Sequence, residues 1–256
     1  MQKTAIPSIE FSVENHIGVL TVNRPQVRNA LNLEGMIDFA AAIEQAYADP
    51  DLHVLIVTGA GKTFISGGDL SDLHGYNTED DARRIITLMG NALNSLSELP
   101  CITIAAMEGA ARGGGLEVAL ACDWRVMADD ADLGFVQIRL GLTTGWGGAA
   151  RLAQLIGYAR ALDLLTSGHV ISASEAYYRG IVTHLARSGD TLQTAIRMGE
   201  ALTQHDPAAV RAYKRILKAA EHSQDAAQRI ERNAFPRLWT AETHVNAVEI
   251  FLRRRS

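Results

Sequence analysis

The residues of this chain best suited to chemistry are Gly113, Gly114, Gly115 and Glu117, in the stretch AAMEGAARGGGLEVALACD from Ala105 to Asp123. An apolar run, Cys101 to Met107, precedes them, and the pattern of a short helix follows. Glycines at such a joint let a ligand approach bare backbone, and the first turn of a helix presents N–H groups that have no internal partner. Together these features stabilise a developing negative charge. A carboxylate one turn into the same helix faces the same ligand and can move a proton. Taken alone, the stretch fits equally a tight strand-to-helix turn with a solvated glutamate.

A second glycine-rich joint follows the apolar run Val54 to Thr58. It reads Gly59, Ala60, Gly61 and then Thr63-Phe64-Ile65-Ser66-Gly67-Gly68-Asp69-Leu70. The strand-then-GKT order at Gly61 to Thr63 invites comparison with a phosphate-binding P-loop, but Ile56 stands where that motif needs its first glycine, and Phe64-Ile65 does not begin a helix. Ser66 lacks the GxSxG elbow of a nucleophilic serine and reads as a turn residue. The histidines show no HExxH or similar spacing, so no metal is expected. Cys101 and Cys122 have neither metal-site spacing nor the number of a disulfide framework and read as small buried apolar residues.

The two joints together resemble the enoyl-CoA hydratase/isomerase family, the crotonases, whose signature blocks run TGAGxxFxxGxDL and GxxxGGGxExAxxCD. Both blocks are present here, in order. NRPQVRNALN at Asn23 to Asn32 and GLTTGWGGAARL at Gly141 to Leu152 are also similar, so the resemblance runs from Ile17 to His184. It implies an α/β crotonase-like ββα spiral with a C-terminal helical region, divided as 1–200 for the spiral core and 201–256 for helices of trimerisation. The implied ligand is an acyl-CoA thioester, with no cofactor beyond the coenzyme A of the substrate itself. Homotrimers or dimers of trimers are implied as well.

Carried over position by position, the resemblance assigns two backbone N–H groups, those of Gly68 and Gly114, to an enolate-like oxyanion. Glu117 takes the part of general acid/base. Ser66, Gly67, Asp69, Leu70, Gln137 and Trp146 fall in the substrate pocket, and Arg28, Ala30, Gly67, Gly68 and Leu70 beside the coenzyme. Hydratases of this family use a second glutamate, and counting back from Leu140-Gly141 puts Gln137 at its position; the alternative register puts Arg139 there. An amide orients a water or a carbonyl but carries no proton at neutral pH. Trp146, in GWGG, stands where smaller residues are common, a feature similar to decarboxylases of branched malonyl-CoA thioesters. The expected activity is of the enoyl-CoA hydratase/isomerase type. A malonyl-type acyl-CoA decarboxylase is the alternative, and an acyl-CoA binding protein without catalysis is a third.

The elements that must hold these residues are legible from periodicity. Ile17 to Val22 is a strand stopped by Asn23-Arg24-Pro25. Met36, Phe39, Ala40, Ile43 and Tyr47 mark one face of a helix over Leu33 to Tyr47. The uninterrupted apolar run Val54 to Val57 suits a strand covered on both faces. Asp69 to Asn77 reads as a polar loop, and a helix over Thr78 to Leu99 carries the stripe Ile85, Leu88, Met89, Ala92, Leu93 and Leu96. Trp124 to Ala128 is a further strand. From Gly147 onward the pattern is helical almost to the end; Val210, Tyr213, Leu217 and Ala220 share one face, as do Val245, Val248, Phe251 and Leu252. These stripes must pack on the core or on a neighbouring subunit.

Composition bounds the rest. A chain of 256 residues, 47% hydrophobic and 21% charged, reads as an ordinary globular protein. A net charge of −5 and a pI near 5.9 argue against nucleic acid as a partner. Members of the family linked to RNA carry a lysine-rich helix where this chain has Glu79, Asp80 and Asp81 before Arg83 and Arg84. The run Arg253-Arg254-Arg255 reads as a solvated tail. With no long apolar stretch and no signal-like start, no membrane association is expected and a cytoplasmic location is the default.

Overall fold

A computed structural model describes residues 7–221, 223–239, 241–244 and 246. The chain begins with an antiparallel hairpin, β1 (Ile9–Glu14) and β2 (Ile17–Val22), followed by α1 (Leu33–Ala48) and β3 (Val54–Gly59). A one-turn helix α2 (Leu70–Leu73) and the long α3 (Glu79–Glu98) lead into β4 (Ile102–Met107). Then come β5 (Ala111–Arg112), α4 (Gly114–Ala121), β6 (Trp124–Ala128) and β7 (Asp132–Gly134). The remainder is α5 (Gly148–Ile156), α6 (Tyr158–Ser167), β8 (Val170–Ser172), α7 (Ala173–Tyr178), β9 (His184–Ala186), α8 (Thr191–Thr203), α9 (Pro207–Ala220) and α10 (Gln224–Trp239).

The main sheet has the order β1-β2-β3-β4-β6-β9, parallel from β2 onward, and a small sheet β5-β7-β8 lies beside it. Every residue of β3 and β4 is buried, as continuous apolar strands in a parallel sheet require. One face of the sheet packs on the main core with Phe39, Met89, Leu93 and Leu116; the other carries Val54, Ile56, Ile104 and Val126 against α8. Residue 200, taken from the sequence as the end of the core, therefore falls inside a helix that covers the sheet.

Several local expectations are corrected. The buried stripe of α1 runs through Met36, Phe39, Ala42, Ile43 and Ala46, while Tyr47 is 65% exposed. Small alanines, invisible to a search for large apolar residues, close that face. The segment 69–77 is not all loop, since α2 occupies part of it. The region after Gly147 contains the strands β8 and β9, each too short for a period to be read. Tyr213 and Leu217 of α9 are 70% and 66% exposed, so most of that helix's apolar face is open in the single chain. Val245, Val248, Phe251, Leu252 and the Arg253 to Arg255 run lie outside the described residues. Among the described residues no helix is long and apolar enough to cross a membrane.

Candidate active site

The two glycine joints lie side by side because almost no side chain stands between them. Thr63 and Ala110 form a parallel bridge, and Arg112 donates its N–H to the Ile65 carbonyl at 3.3 Å. A Cβ on Gly115 would sit 1.8 Å from that same Ile65 oxygen, so only glycine permits the approach. Gly67 and Gly113 take positive φ, 98° and 50°, which turns each joint toward the other. A Cβ on Gly67 would come within 3.1 Å of the Gly114 nitrogen.

Gly114 is the first residue of α4, and Gly68 immediately follows the turn at Gly67. Among the described residues neither N–H donates to an acceptor. The two donors thus stand on adjacent segments with no internal partner among the described residues. Gly113 is in turn fixed by its N–H bond to the Gly134 carbonyl, 3.0 Å, and Arg112 by its ion pair with Asp132, 2.7 Å. The small sheet therefore acts as a brace for the joint.

The segment before α1 runs alongside the first joint. Leu31 donates to the Gly67 carbonyl and Asp69 to the Leu31 carbonyl, at 2.8 and 2.9 Å, which sets Leu31 and the preceding Ala30 beside Gly67 and Gly68; Arg28 ends the short turn three residues earlier. Arg28 and Leu70 are exposed and Ala30 is buried, so polar and apolar groups rim one edge of the joint. Asp69 is buried and paired with Arg24 at 3.1 Å, and Arg24 also donates to the Ala30 carbonyl. Ser66 is half-buried in the same turn.

Glu117 lies one turn into α4 and is 2% exposed. Its Oε2 accepts from the N–H of Trp146 at 2.7 Å and of Gly148 at 2.8 Å. Its Oε1 accepts from Gln137 Nε2 at 3.1 Å and from the Gly145 N–H at 3.3 Å. A carboxylate offers about four acceptor positions, and all are engaged. Burial pushes the Glu117 carboxyl above its ordinary range, and these four donors, Gly148 and Trp146 foremost, pull it back only in part. Gln137 thus meets Glu117 in space, while Arg139 packs instead against Gly168.

Trp146 is 7% exposed, and its ring lies so close over Gly114 that a Cβ there would fall 2.3 Å from Cζ3. The indole is a wall at the N–H of Gly114. Gly148 is likewise demanded by contact, since a Cβ on it would meet Glu117 Cγ at 2.5 Å.

Sequence reasoning missed several of these partners. Asn29, fully buried at positive φ, donates from Nδ2 to the carbonyls of Ala60, Thr63 and Phe64 and fixes the first joint. The grip of Gly145, Trp146 and Gly148 on Glu117 uses backbone groups remote in sequence; the paired glycines behind Trp146 were its only visible sign.

Residues 12–256 match the family model described as Enoyl-CoA hydratase/isomerase. The chain is 33% identical to the ethylmalonyl-CoA decarboxylase of Gallus gallus over 253 residues, 97% of this chain and 85% of that one. It is 31% identical to the short-chain-enoyl-CoA hydratase of Clostridium acetobutylicum, with 94% and 93% covered. A solved enoyl-CoA hydratase from Bacillus anthracis superposes with a TM-score of 0.91 at 29% identity, covering 97% of each chain.

Proposed function

This chain belongs to the enoyl-CoA hydratase/isomerase family, and within it we propose that the protein is an acyl-CoA decarboxylase acting on a malonyl-type thioester of the ethylmalonyl or methylmalonyl class. The observation that carries the reading is Glu117. Its acceptor positions are filled by three backbone N–H groups and the Gln137 amide, so no free lone pair remains to hold a water, and among the described residues no second carboxylate bonds to it or to Gln137. Two-carboxylate hydration has neither of its requirements, whereas loss of CO2 needs chiefly a sink for the electron pair. The likeness to an ethylmalonyl-CoA decarboxylase supports the same choice.

In this reaction the bond between Cα and the substrate carboxylate breaks. Its electron pair forms the Cα=C bond of the enolate, and the thioester oxygen takes the negative charge beside the N–H groups of Gly68 and Gly114. CO2 leaves, and Cα then takes one proton that comes from solvent. Each N–H aimed at the developing oxyanion is worth roughly 3 to 4 kcal/mol. Trp146 walls the pocket above Gly114 and limits the bulk of the acyl group.

Hydration or isomerisation of an enoyl-CoA is the second reading, favoured by the retained Glu117 and by the likeness to hydratases. Mass spectrometry of the products formed in D2O separates the two. Decarboxylation yields a saturated acyl-CoA with one deuterium at Cα from ethylmalonyl-CoA and leaves crotonyl-CoA untouched. Conversion of crotonyl-CoA alone would overturn the decarboxylase reading.

A further inference from the structure

The loop that grips Glu117 has a second side. Its N–H groups at Trp146 and Gly148 point to the carboxylate, while the Trp146 carbonyl accepts from Arg151 Nη1 at 2.9 Å. The other arm of that guanidinium, Nη2, donates to Asn94 Oδ1 on α3 at 2.7 Å. Gly147 between them has φ of 91°, and a Cβ on it would meet Arg151 Nη1 at 2.7 Å, so glycine clears the path for the contact. Asn94, Gly147 and Arg151 also line a cavity of about 1240 Å3 bounded by α3, α5 and α9; Gly68, Gly114, Glu117 and Gln137 do not.

We propose that Arg151 is a positioning residue, which clamps the Trp146 carbonyl from the cavity side and thereby sets two of the three backbone N–H groups that hold Glu117, those of Trp146 and Gly148, and the indole that covers Gly114. The role rests on the reading of the site given above. A guanidinium offers a planar fork of donors that fixes two acceptors at once, which an ammonium does not. Its charge also lies within electrostatic reach of the buried carboxylate. Burial lowers the Arg151 pKa, with Glu117 and the Cys122 thiol pulling it back, and that thiol, pushed up to about 12, stays neutral. Without Arg151 the loop loses its outer anchor, and Glu117 loses both a nearby cation and well-placed donors. Each loss disfavours the carboxylate, so the Glu117 titration moves to higher pH.

Arg151→Ala is expected to lower kcat roughly 100-fold with KM nearly unchanged, the scale set by small misplacements of catalytic groups. The acid limb of the pH profile, where protonation of Glu117 weakens its hold on the loop that carries Trp146, should move upward. Because the cavity is open to small ions, guanidinium chloride at low millimolar concentration should restore part of kcat and return the limb toward its original position. Asn94→Ala, which removes one anchor only, should show the same shift to a smaller degree and serves if Arg151→Ala does not fold. A folded Arg151→Ala with unchanged kcat and acid limb, or one that guanidinium does not rescue, overturns the proposal. Carbon-13 NMR titration of the Glu117 carboxyl needs no substrate and keeps this test separate from the decarboxylase reading: a higher midpoint in Arg151→Ala supports the clamp, and an unchanged midpoint sinks it even if no malonyl thioester is turned over.

Discussion

The backbone half of the site and its carboxylate half are built on opposite principles. Gly68 and Gly114 offer N–H groups on segments kept bare by glycine, and what holds them is mostly main chain: the Thr63–Ala110 bridge, the bond to Ile65 and the brace of the small sheet, with the buried Asn29 amide tying the first joint. Glu117 and Gln137 meet through side chains that come from α4 and from the turn after β7, closed by a loop from before α5. At the two N–H groups themselves, side-chain identity matters only through what must be absent. The second depends on it directly, and there the chain departs from a two-glutamate pattern. On the proposed reading, enolate stabilisation is therefore a property of the scaffold, while the fate of the enolate is set by a few replaceable side chains.

The largest effect should come from the backbone half. Gly114→Pro deletes an N–H and should cost about 10² to 10³ in kcat, the loss seen when one oxyanion donor is removed. Full activity in a folded variant, checked by its thermal transition, would place the anion elsewhere.

On the carboxylate half, Gln137→Glu sets a second carboxylate against the first, where the amide now lies at 3.1 Å. Like charges so close raise the pKa of the pair. Decarboxylation should fall about tenfold or more, and crotonyl-CoA hydration should appear, since proton transfer of this kind contributes roughly 10² to 10⁴. Steady-state kinetics on both substrates decide this, and no change on either would separate Gln137 from the chemistry.

Trp146→Ala joins the two halves, because the indole covers Gly114 while the backbone N–H of the same residue, which alanine retains, holds Glu117. Truncating a large buried aromatic costs about 3 to 5 kcal/mol of stability. Denaturant unfolding should register that loss, and the variant should accept bulkier 2-alkyl groups. Unaltered selectivity would mean that the acyl chain does not run along the indole.

The smallest effect is one of pH. The folded state raises the Glu117 pKa, so the stability tied to its protonation is fully present below the unfolded value of about 4.3 and is lost as pH rises through the folded value. Against Glu117→Gln, the wild type should lose ground in Tm as pH rises across that window. A difference in Tm constant from acid to neutral pH would mean that burial does not govern this carboxyl.

The two halves were unequally legible. The glycine joints could be read because their constraints are local: a turn, a positive φ and a bare approach leave glycines at fixed spacing. The helix α3 and its stripe were legible for the same reason, although Thr78 proved to be its cap rather than its first residue. Gln137 could be placed only by counting from Leu140-Gly141, and its contact with Glu117 spans two elements. Asn29, Arg151 and the N–H groups of the loop before α5 left almost no sequence sign, since each acts on a partner brought near by the fold. The exposed Tyr47 and the strands β8 and β9 escaped because alanines and three-residue strands carry too little hydrophobic contrast.

The most direct test is the ratio of kcat/KM for CO2 release from ethylmalonyl-CoA to that for hydration of crotonyl-CoA, measured on one preparation of the wild type. A site with one fully bonded carboxylate and a backbone oxyanion pair predicts a ratio of roughly 100 or more in favour of decarboxylation, the rate that a missing proton carrier forfeits. A ratio below one would contradict it.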